Sequence, residues 1–179
     1  MRIVKWLLGI VLALALVLWL GGMLLSPQFT VSRSVSINAP ADKIYPLVVS
    51  PKEWKRWSVW NQRDAAMKID YSGPESGVGA AWAWTSPSEG DGKMTFTAAE
   101  PGKRVAYDLY FPDFGTTSAG EFVFAADAGS NSTRVTWVMN GNMGSNPLFR
   151  WMTLFADGMV GKDFEGGLAN LKALAEKGS

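Results

Sequence analysis

An uncharged run near the amino terminus constrains this chain more than any other feature of its sequence. The segment from Trp6 to Leu25, WLLGIVLALALVLWLGGMLL, has 20 residues and no charged side chain. At about 1.5 Å rise per residue, a helix of this length matches a hydrocarbon core about 30 Å thick. We therefore expect residues 1–26 to form a transmembrane anchor and residues 27–179 to form one domain.

A cleaved signal peptide is the alternative interpretation of this run. A signal peptide needs an apolar region of about 7 to 15 residues followed by a small-x-small cleavage site. The run is longer than that, and Leu24-Leu25-Ser26-Pro27 is a poor cleavage sequence. Gly21-Gly22 nevertheless keeps cleavage open, so the anchor is the favoured interpretation of two.

The charges beside the run set the expected orientation. Arg2 and Lys5 precede it, whereas only Arg33 follows within the next fifteen or so residues. The positive-inside rule then places the amino terminus in the cytoplasm. We expect one pass through the cytoplasmic (inner) membrane by residues 3–25, with the domain facing the periplasm or exterior.

Two missing residue types exclude several kinds of chemistry. The sequence has no cysteine and no histidine, which excludes disulfides, thiolate nucleophiles, Ser-His-Asp triads and histidine-ligated metals. Its 17 basic and 16 acidic residues give a net charge of +1, so no broad surface for nucleic acid is expected. We expect no metal site and no cofactor.

Alternating apolar and polar residues predict an antiparallel sheet. From Phe29 to Ile37 the alternation is interrupted only by Arg33, which is typical of a half-buried first strand. Runs separated by Gly, Pro, Asp and Ser predict a six-stranded meander after it. These runs cover residues 67–72, 79–85, 92–100, 103–111, 118–126 and 132–140.

Two short helices are predicted between the first strand and the meander. Ile44, Leu47 and Val48 recur at helical spacing. Ser50-Pro51-Lys52-Glu53 is a capping box with proline at the first helical position, so a second helix should start there. That helix would carry Trp54 and Trp57 on one face, where we expect them to pack as a hydrophobic plug against the sheet.

The residues from Asn146 to Lys177 predict one long amphipathic helix. Apolar side chains recur at i, i+3 and i+4 steps along it. Gly158 and Gly161 fall near its middle, where each costs up to about 1 kcal/mol relative to alanine, so a kink or loosened turn is expected there. The apolar positions are Leu148, Trp151, Met152, Phe155, Met159, Phe164, Leu168, Leu171 and Leu174.

The element order and four segments resemble a known superfamily. The segments are VSRSVSINAPADKIYPLVVSPKEWKRWSVW, YSGPESGVGAAWAW, TRVTWVMNG and GMVGKDFEGGLANLK. Over about residues 29 to 175 the chain is similar to the START-like (SRPBCC) superfamily, in its bacterial polyketide cyclase/dehydrase and lipid-transport branch. The resemblance implies an α+β helix-grip (START-like/Bet v 1-like) fold, in which a curved seven-stranded antiparallel sheet wraps a long C-terminal helix around a cavity. Members bind lipids, sterols, polyketides, hormones or aromatic metabolites, and a minority catalyse cyclisation or dehydration.

Candidate ligand-binding residues combine the ring-rich face of the sheet with the facing helix stripe. Trp60 is added because it follows the second short helix, in a predicted loop from which its ring could reach a ligand. The alternative is that these side chains pack on one another and leave no void. The candidates are Trp60, Trp84, Tyr107, Trp137, Met152, Phe155 and Met159.

Few polar groups on the predicted inner face could perform catalysis. Tyr107 is the best placed, and Glu121 and Asp70 would reach the interior only if the strand register slipped by one. We expect these two carboxylates to face solvent. Asp157, Asp163 and Glu165 should lie on the exposed face of the last helix or at its glycines. The catalytic residues are therefore left unassigned, and a non-enzymatic function is favoured.

Three functions remain open from the sequence. The first is membrane-anchored binding or transport of a small hydrophobic, aromatic or lipid ligand between sheet and C-terminal helix. The second is a polyketide cyclase or dehydratase-type enzyme. The third is a non-catalytic accessory subunit whose anchor packs beside another membrane protein through small residues such as Gly9, Ala13, Gly21 and Gly22.

Overall fold

The computed structural model describes residues 2–113, 115–127 and 131–177. Within these residues seven strands form one antiparallel sheet in the order β1-β7-β6-β5-β4-β3-β2, so β2 to β7 are the predicted meander and β1 closes on β7. Each predicted strand is present with ends shifted by about two residues at most. The strands are β1 Gln28–Ile37, β2 Lys68–Ser72, β3 Ala81–Thr85, β4 Gly92–Glu100, β5 Arg104–Phe111, β6 Thr116–Ala126 and β7 Thr133–Asn142.

The register of the sheet aligns its inner-face side chains in rows. Phe96 on β4 pairs with Tyr107, Tyr107 pairs with Gly120, and Gly120 pairs with Met139 on β7. In the next row Phe122 pairs with Trp137, which pairs with Arg33 on β1. The inner face therefore carries large rings in its middle rows, as the alternation predicted.

Five α-helices and one 3₁₀ helix accompany the sheet in the described part of the chain. The helix α1 precedes β1, two helices and the 3₁₀ helix lie between β1 and β2, and two helices follow β7. They are α1 Arg2–Leu24, α2 Ala41–Val49, the 3₁₀ helix Pro51–Arg56, α3 Val59–Arg63, α4 Pro147–Arg150 and α5 Thr153–Glu176.

The predicted capping box does not form as such. The Ser50 side chain makes no cap bond; its hydroxyl donates instead to the Glu75 carbonyl at 3.4 Å. The Glu53 carboxylate accepts from Arg56 at 2.5 Å. The Glu53 amide bonds the Ser50 carbonyl at 3.1 Å, an i to i+3 bond that belongs to a 3₁₀ turn. The second short helix begins where the sequence predicted it, but it is a 3₁₀ helix rather than an α-helix.

The C-terminal region is broken at a different place from the one predicted. The helix α5 runs without interruption from Thr153 to Glu176, through both Gly158 and Gly161. The break lies instead at residues 151–152, between α4 and α5. On the amino-terminal side of this break, α4 packs on the end of α1, where a Cβ at Gly22 would overlap the Pro147 carbonyl.

The helix α1 has the length and composition expected of a membrane span. It covers 23 residues, and its most apolar 18-residue window has a mean hydropathy of 2.6 and is about 6% buried. A signal sequence or a core helix meets the same length and composition test, so crossing of a membrane stays a prediction. Its last turns contact α4, which joins the helix to the domain.

Candidate functional site

An aromatic plug fills the middle of the space between the sheet and the helices. The Trp54 ring lies 4.6 Å from that of Trp57 and 5.7 Å from those of Phe122 and Trp137, between ring centroids. It also contacts three further rings at 5.1 to 6.4 Å. We call this cluster the plug, and it consists of Trp54, Trp57, Trp82, Phe96, Tyr107, Phe122, Trp137 and Phe164.

Two of the plug's four tryptophans, Trp54 and Trp57, are fixed to α2 by their indole nitrogens. The Trp54 Nε1 donates to the Val48 carbonyl at 2.8 Å, and the Trp57 Nε1 donates to the Leu47 carbonyl at 2.9 Å. Both acceptors belong to α2, so each ring is held by an apolar contact at one end and a hydrogen bond at the other. The predicted role of Trp54 and Trp57 as a plug is confirmed.

Tyr107 and Trp137 are two candidate ligand-binding residues that the structure joins by a hydrogen bond. The Trp137 Nε1 donates to the Tyr107 hydroxyl at 2.7 Å, and both side chains are buried. The Tyr107 ring lies across Gly120, where a Cβ would overlap it. Burial raises the pKa of Tyr107 above its ordinary value, since an anion there would lose its water. The hydroxyl is therefore a poor base at any physiological pH.

Trp60 lies in a helix, and the predicted loop position was wrong. The chain turns back into α3 at Val59, which directs the indole toward α5. Its Nε1 donates to Asp163 Oδ2 at 2.9 Å, and its ring meets Trp137 edge-on at 5.8 Å. Arg63 pairs with the other oxygen of Asp163. Asp163 was expected on the exposed face of α5, yet its side chain is only 20% exposed because it joins Trp60 and Arg63 to that helix.

Met152, Phe155 and Met159 do not face the sheet, which corrects their predicted placement. They are 45%, 62% and 59% exposed. The buried face of α5 carries Phe164 and Leu168 instead, about half a turn around the helix from Phe155. The apolar stripe thus changes sides at the two glycines, and the sequence pattern joined two stripes into one. Whether these three side chains bind a ligand stays a prediction.

Trp84 lies at one end of the inner face, beside other half-buried rings. Its indole lies across Gly92, where a Cβ would overlap it, and it meets Phe111 edge-on at 6.2 Å. Phe29 lies across Gly141 in the same manner, toward the opposite edge of the sheet, on β1 and β7. The register places Gly92 and Gly141 toward the same end of the sheet. We call this region the ring-lined end; it is formed by Phe29, Trp84 and Phe111.

Two surface depressions lie on the described part of the domain, and no α5 residue lines either of them. One of about 430 Å³ lies over Phe29, Ser118 and Gly141, at the ends of β1, β6 and β7. One of about 210 Å³ lies between the 3₁₀ helix and the loop after β2, beside Tyr71. The space that the resemblance assigned to a cavity is occupied in its centre by the plug.

Arg33 is an inner-face residue that sequence reasoning did not assign to the site. Its guanidinium donates to Asp157 at 2.8 Å and to Glu165 at 2.6 Å, which ties β1 to α5. Gly161 makes room for it, because a Cβ there would overlap the guanidinium. The pKa of Arg33 is raised and that of Asp157 is lowered, each chiefly by their mutual hydrogen bond. The available signal was a charge at an inward position of an alternating strand.

The remaining carboxylates lie outside the interior. Asp70 is exposed, and Glu121 pairs with Arg104 at 2.6 Å on the outer face. Asp157 and Glu165 are 65% and 58% exposed, as expected, although both bind Arg33. Among the described residues no group of three or more acidic side chains has an arrangement that could hold a metal ion.

Comparison with known proteins places this geometry in context. Residues 28–176 match the model of the family described as polyketide cyclase / dehydrase and lipid transport. A comparison with curated protein sequences found no match.

Several solved structures share the fold at low sequence identity. Norcoclaurine synthase from Thalictrum flavum, solved in complex with dopamine and hydroxybenzaldehyde, has a TM-score of 0.64 at 15% identity, over 85% of this chain and 88% of that one. A protein from Chromobacterium violaceum has a TM-score of 0.60 at 15% identity, over 83% of this chain and 98% of that one. A protein of the dynemicin biosynthetic locus has a TM-score of 0.58 at 17% identity, over 84% of this chain and 48% of that one. Such identities show the fold alone, and the α+β helix-grip architecture is confirmed.

Proposed function

Because the chain belongs to the polyketide cyclase / dehydrase and lipid transport family, we propose that its domain binds a small apolar, aromatic or lipid molecule while α1 holds it to the cytoplasmic membrane. The observation that carries this proposal is the ring-lined end. There three half-buried aromatic side chains lie at one end of the inner face, two of them over glycines. The domain would face the periplasm or exterior, as the charges around α1 indicate.

The plug limits where a ligand fits. Its rings are buried and bonded, so opening the centre would break several contacts at once. The rings at the ring-lined end are half-buried, and two of them, Trp84 and Phe29, lie over glycines. Such rings move aside at lower cost, because fewer neighbours pack against them. We therefore locate the ligand at this end, against Trp84 and Phe111.

Position favours this end for a ligand drawn from the membrane. The strand β1 starts only four residues after α1 ends, and Phe29 is its second residue. The Met143 amide bonds the Pro27 carbonyl at 2.8 Å, which ties the end of β7 to the same junction. A ligand that partitions into lipid would therefore meet the ring-lined end first.

Apolar burial would supply most of the affinity. A ligand that buries about 200 Å² of apolar surface gains about 5 kcal/mol before association costs. Ser118 is a buried hydroxyl in the same row as Leu109, and it is available to orient a polar group of the ligand. Enzymatic cyclisation has less support, because the buried Tyr107 hydroxyl stays protonated and accepts from Trp137.

A non-catalytic accessory role is a second candidate, favoured by the filled centre. A domain that binds nothing internally has no need of space between sheet and helix. The exposed apolar residues of α1 would then contact a partner protein. Recovery of one stoichiometric partner after mild detergent extraction, with no bound small molecule, would support this role.

Native mass spectrometry of the full chain released from detergent tests the ligand-binding proposal. We expect retained 1:1 adducts with a palmitate or naphthalene probe, because detergent removal leaves only specifically bound molecules. Trp84→Ala and Phe111→Ala should reduce adduct formation, whereas Tyr110→Ala, whose side chain points outward from the same strand, should not. Equal adduct levels in all three variants, or none in the parent chain, would contradict the proposal.

A further inference from the structure

The end of α1 is joined to the domain by direct contact with α4. A Cβ at Gly22 would overlap the Pro147 carbonyl, and one at Gly21 would come within 2.7 Å of the Trp151 ring. The Trp151 Nε1 donates to the Leu18 carbonyl at 2.9 Å. The two glycines therefore admit α4 against the helix, and the position of the domain relative to α1 is set by packing as well as by the linking chain.

This contact sets how deep α4 lies if α1 crosses a membrane. Leu18 precedes the last residue of α1, Leu24, by six residues, or about 9 Å along the helix axis. A tryptophan bonded at Leu18 therefore lies roughly 9 Å below the end of the span. The helix α4 and the start of α5 must then lie at the level of the lipid headgroups and outer acyl chains.

Exposed apolar side chains on α4 and the start of α5 lie at this depth. Leu148, Met152, Leu154, Phe155 and Met159 are all at least 45% exposed, and we call them the α4–α5 apolar face. Large exposed apolar patches on a folded domain mark contact sites.

The two charged side chains of this segment have partners within the protein. Residues 146–161 contain two charged side chains, Arg150 and Asp157. The Arg150 guanidinium donates to the Met23 and Leu25 carbonyls at 3.4 and 3.5 Å, where the end of a helix dipole attracts a cation. Asp157 pairs with Arg33 at 2.8 Å. Asp157 would therefore enter the interface as one half of an ion pair, whereas Arg150 is placed against the end of α1 with its Nε buried and without a hydrogen-bond partner among the described residues.

A lysine marks the far limit of the face. Phe155, Met159 and Lys162 follow one another at i, i+4 and i+7, so they share one side of α5. Lys162 is exposed, and a long cationic side chain at such a boundary reaches the phosphate level. Beyond it α5 turns its apolar stripe toward the sheet.

We propose that the α4–α5 apolar face is embedded in the outer interface of the phospholipid bilayer, so that the domain lies on the membrane rather than hanging from a flexible tether. The partner is the lipid surface itself. This inference rests on the proposed crossing of the membrane by α1. It explains why Met152, Phe155 and Met159 are apolar yet face away from the sheet.

Spin-label accessibility of the full chain in phosphatidylglycerol/phosphatidylethanolamine nanodiscs tests this inference. The chain has no cysteine, so single variants take one nitroxide each. The variants are Leu12→Cys in the span, Phe155→Cys and Leu148→Cys on the apolar face, and Ala169→Cys on an exposed position of α5. Collision with apolar O₂ is compared with collision with a polar nickel chelate, and far-UV circular dichroism checks each fold.

We expect the Phe155 and Leu148 labels to favour O₂ over the chelate severalfold more than the Ala169 label, and to approach the Leu12 label. Lipid exposure at Leu12 with aqueous exposure at both Leu148 and Phe155 would overturn the inference and leave the anchor intact. Aqueous exposure at Leu12 would overturn both. Native mass spectrometry of ligand adducts uses different residues, so failure of the ligand-binding proposal would be seen separately.

Discussion

At the scale of single residues, the plug depends on one buried hydrogen bond. The Trp137 indole donates to the Tyr107 hydroxyl, and each side chain is only 1% exposed. A buried donor without a partner costs about 1–3 kcal/mol. Polar groups in this interior are few, so each one has a large effect on stability.

We expect Tyr107→Phe to lower the free energy of unfolding by about 1–3 kcal/mol, because the Trp137 Nε1 loses its acceptor. Tyr110→Phe, three residues along the same strand and 44% exposed, is the matched control and should change it by less than about 0.5 kcal/mol. Urea unfolding of the full chain in detergent, followed by near-UV circular dichroism, measures both. Equal effects of the two substitutions would show that the buried bond contributes little.

Two glycines of α5 provide a second test at this scale. A Cβ at Gly158 meets nothing within 4 Å, whereas a Cβ at Gly161 would overlap the Arg33 guanidinium. Gly158→Ala should stabilise the chain by up to about 1 kcal/mol through helix propensity. Gly161→Ala should lose that gain or destabilise the chain, because Arg33 must leave Asp157. Thermal unfolding compares the two, and an equal gain from both would refute the packing role of Gly161.

At the scale of elements, α5 is held to β1 by charged groups as well as by its apolar stripe. Arg33 binds Asp157, and the Glu176 carboxylate accepts from the Asn38 amide at 2.7 Å. The pKa of Asp157 is lowered by the Arg33 hydrogen bond, and that of Glu176 by the Asn38 amide and then by Lys172. Both carboxyls are therefore more acidic in the folded chain than in the unfolded one.

The sign of the pH dependence follows from these lowered values. Each contribution to stability is present above the ordinary pKa, 3.8 for Asp and 4.5 for Glu, and is lost as pH falls through the lower folded pKa. We expect melting temperature to fall on acidification below about pH 4.5, and to fall less in the Asp157→Asn/Glu176→Gln double variant. Because Asp157 is 65% exposed and Glu176 is only half-buried, the difference should be small. Parallel pH profiles of the two chains would contradict this account of α5.

The junction of α1 and α4 is a second element-scale contact that can be broken selectively. Gly22→Leu should displace α4, because its side chain enters the space of the Pro147 backbone, whereas Gly9→Leu meets nothing within 4 Å. Pulsed electron–electron double resonance between nitroxide labels at Trp19→Cys and Leu148→Cys measures the distance between the two helices. We expect a narrow distance distribution in the parent and in Gly9→Leu, and a broader one in Gly22→Leu. A distribution unchanged by Gly22→Leu would show that the junction does not depend on close contact.

Much of this element structure was predictable because strands repeat every two residues. The alternation located the seven strands of the described residues and the side chains that point inward. A slip of one residue would place Tyr107 or Trp137 on the solvent face, and both are buried as the alternation predicts. The helix stripe of α5 was less informative. Helical spacing holds on each side of Gly158, but the predicted kink hid the fact that Phe155 and Phe164, nine positions apart, lie half a turn apart in one continuous helix.

Long-range contacts account for the other differences. The loop predicted for Trp60 became α3 because its indole bonds Asp163, which is 103 residues away. The plug could be predicted, but its filling of the centre could not, because composition does not report how rings interlock. In the sequence Arg33 only interrupts the alternation of the first strand. Its pairing with Asp157 and Glu165, in the space left by Gly161, depends on contacts between residues far apart in the chain.

At the scale of the whole molecule, the plug fills the centre of the space between the sheet and α5 and leaves only the ring-lined end partly open. The middle of the sheet and the last half of α5 form a closed core, whereas Phe29 of the ring-lined end follows the last residue of α1 by only five residues. The proposed membrane contact of the α4–α5 apolar face would keep that end close to lipid. Binding and tethering would then be parts of one arrangement, in which a membrane-partitioned ligand need not cross bulk water.

Photo-crosslinking with a diazirine-bearing fatty acid in nanodiscs tests the ligand-binding claim most directly. Peptide mapping of the full chain distinguishes inner-face adducts from lipid contacts on the outside. We expect saturable adducts on the peptides that carry Trp84 and Phe111, competed by excess unlabelled fatty acid, beside unsaturable labelling of α1. Labelling confined to residues 3–25 and 147–159, with none on β3 to β5, would contradict ligand binding at the ring-lined end.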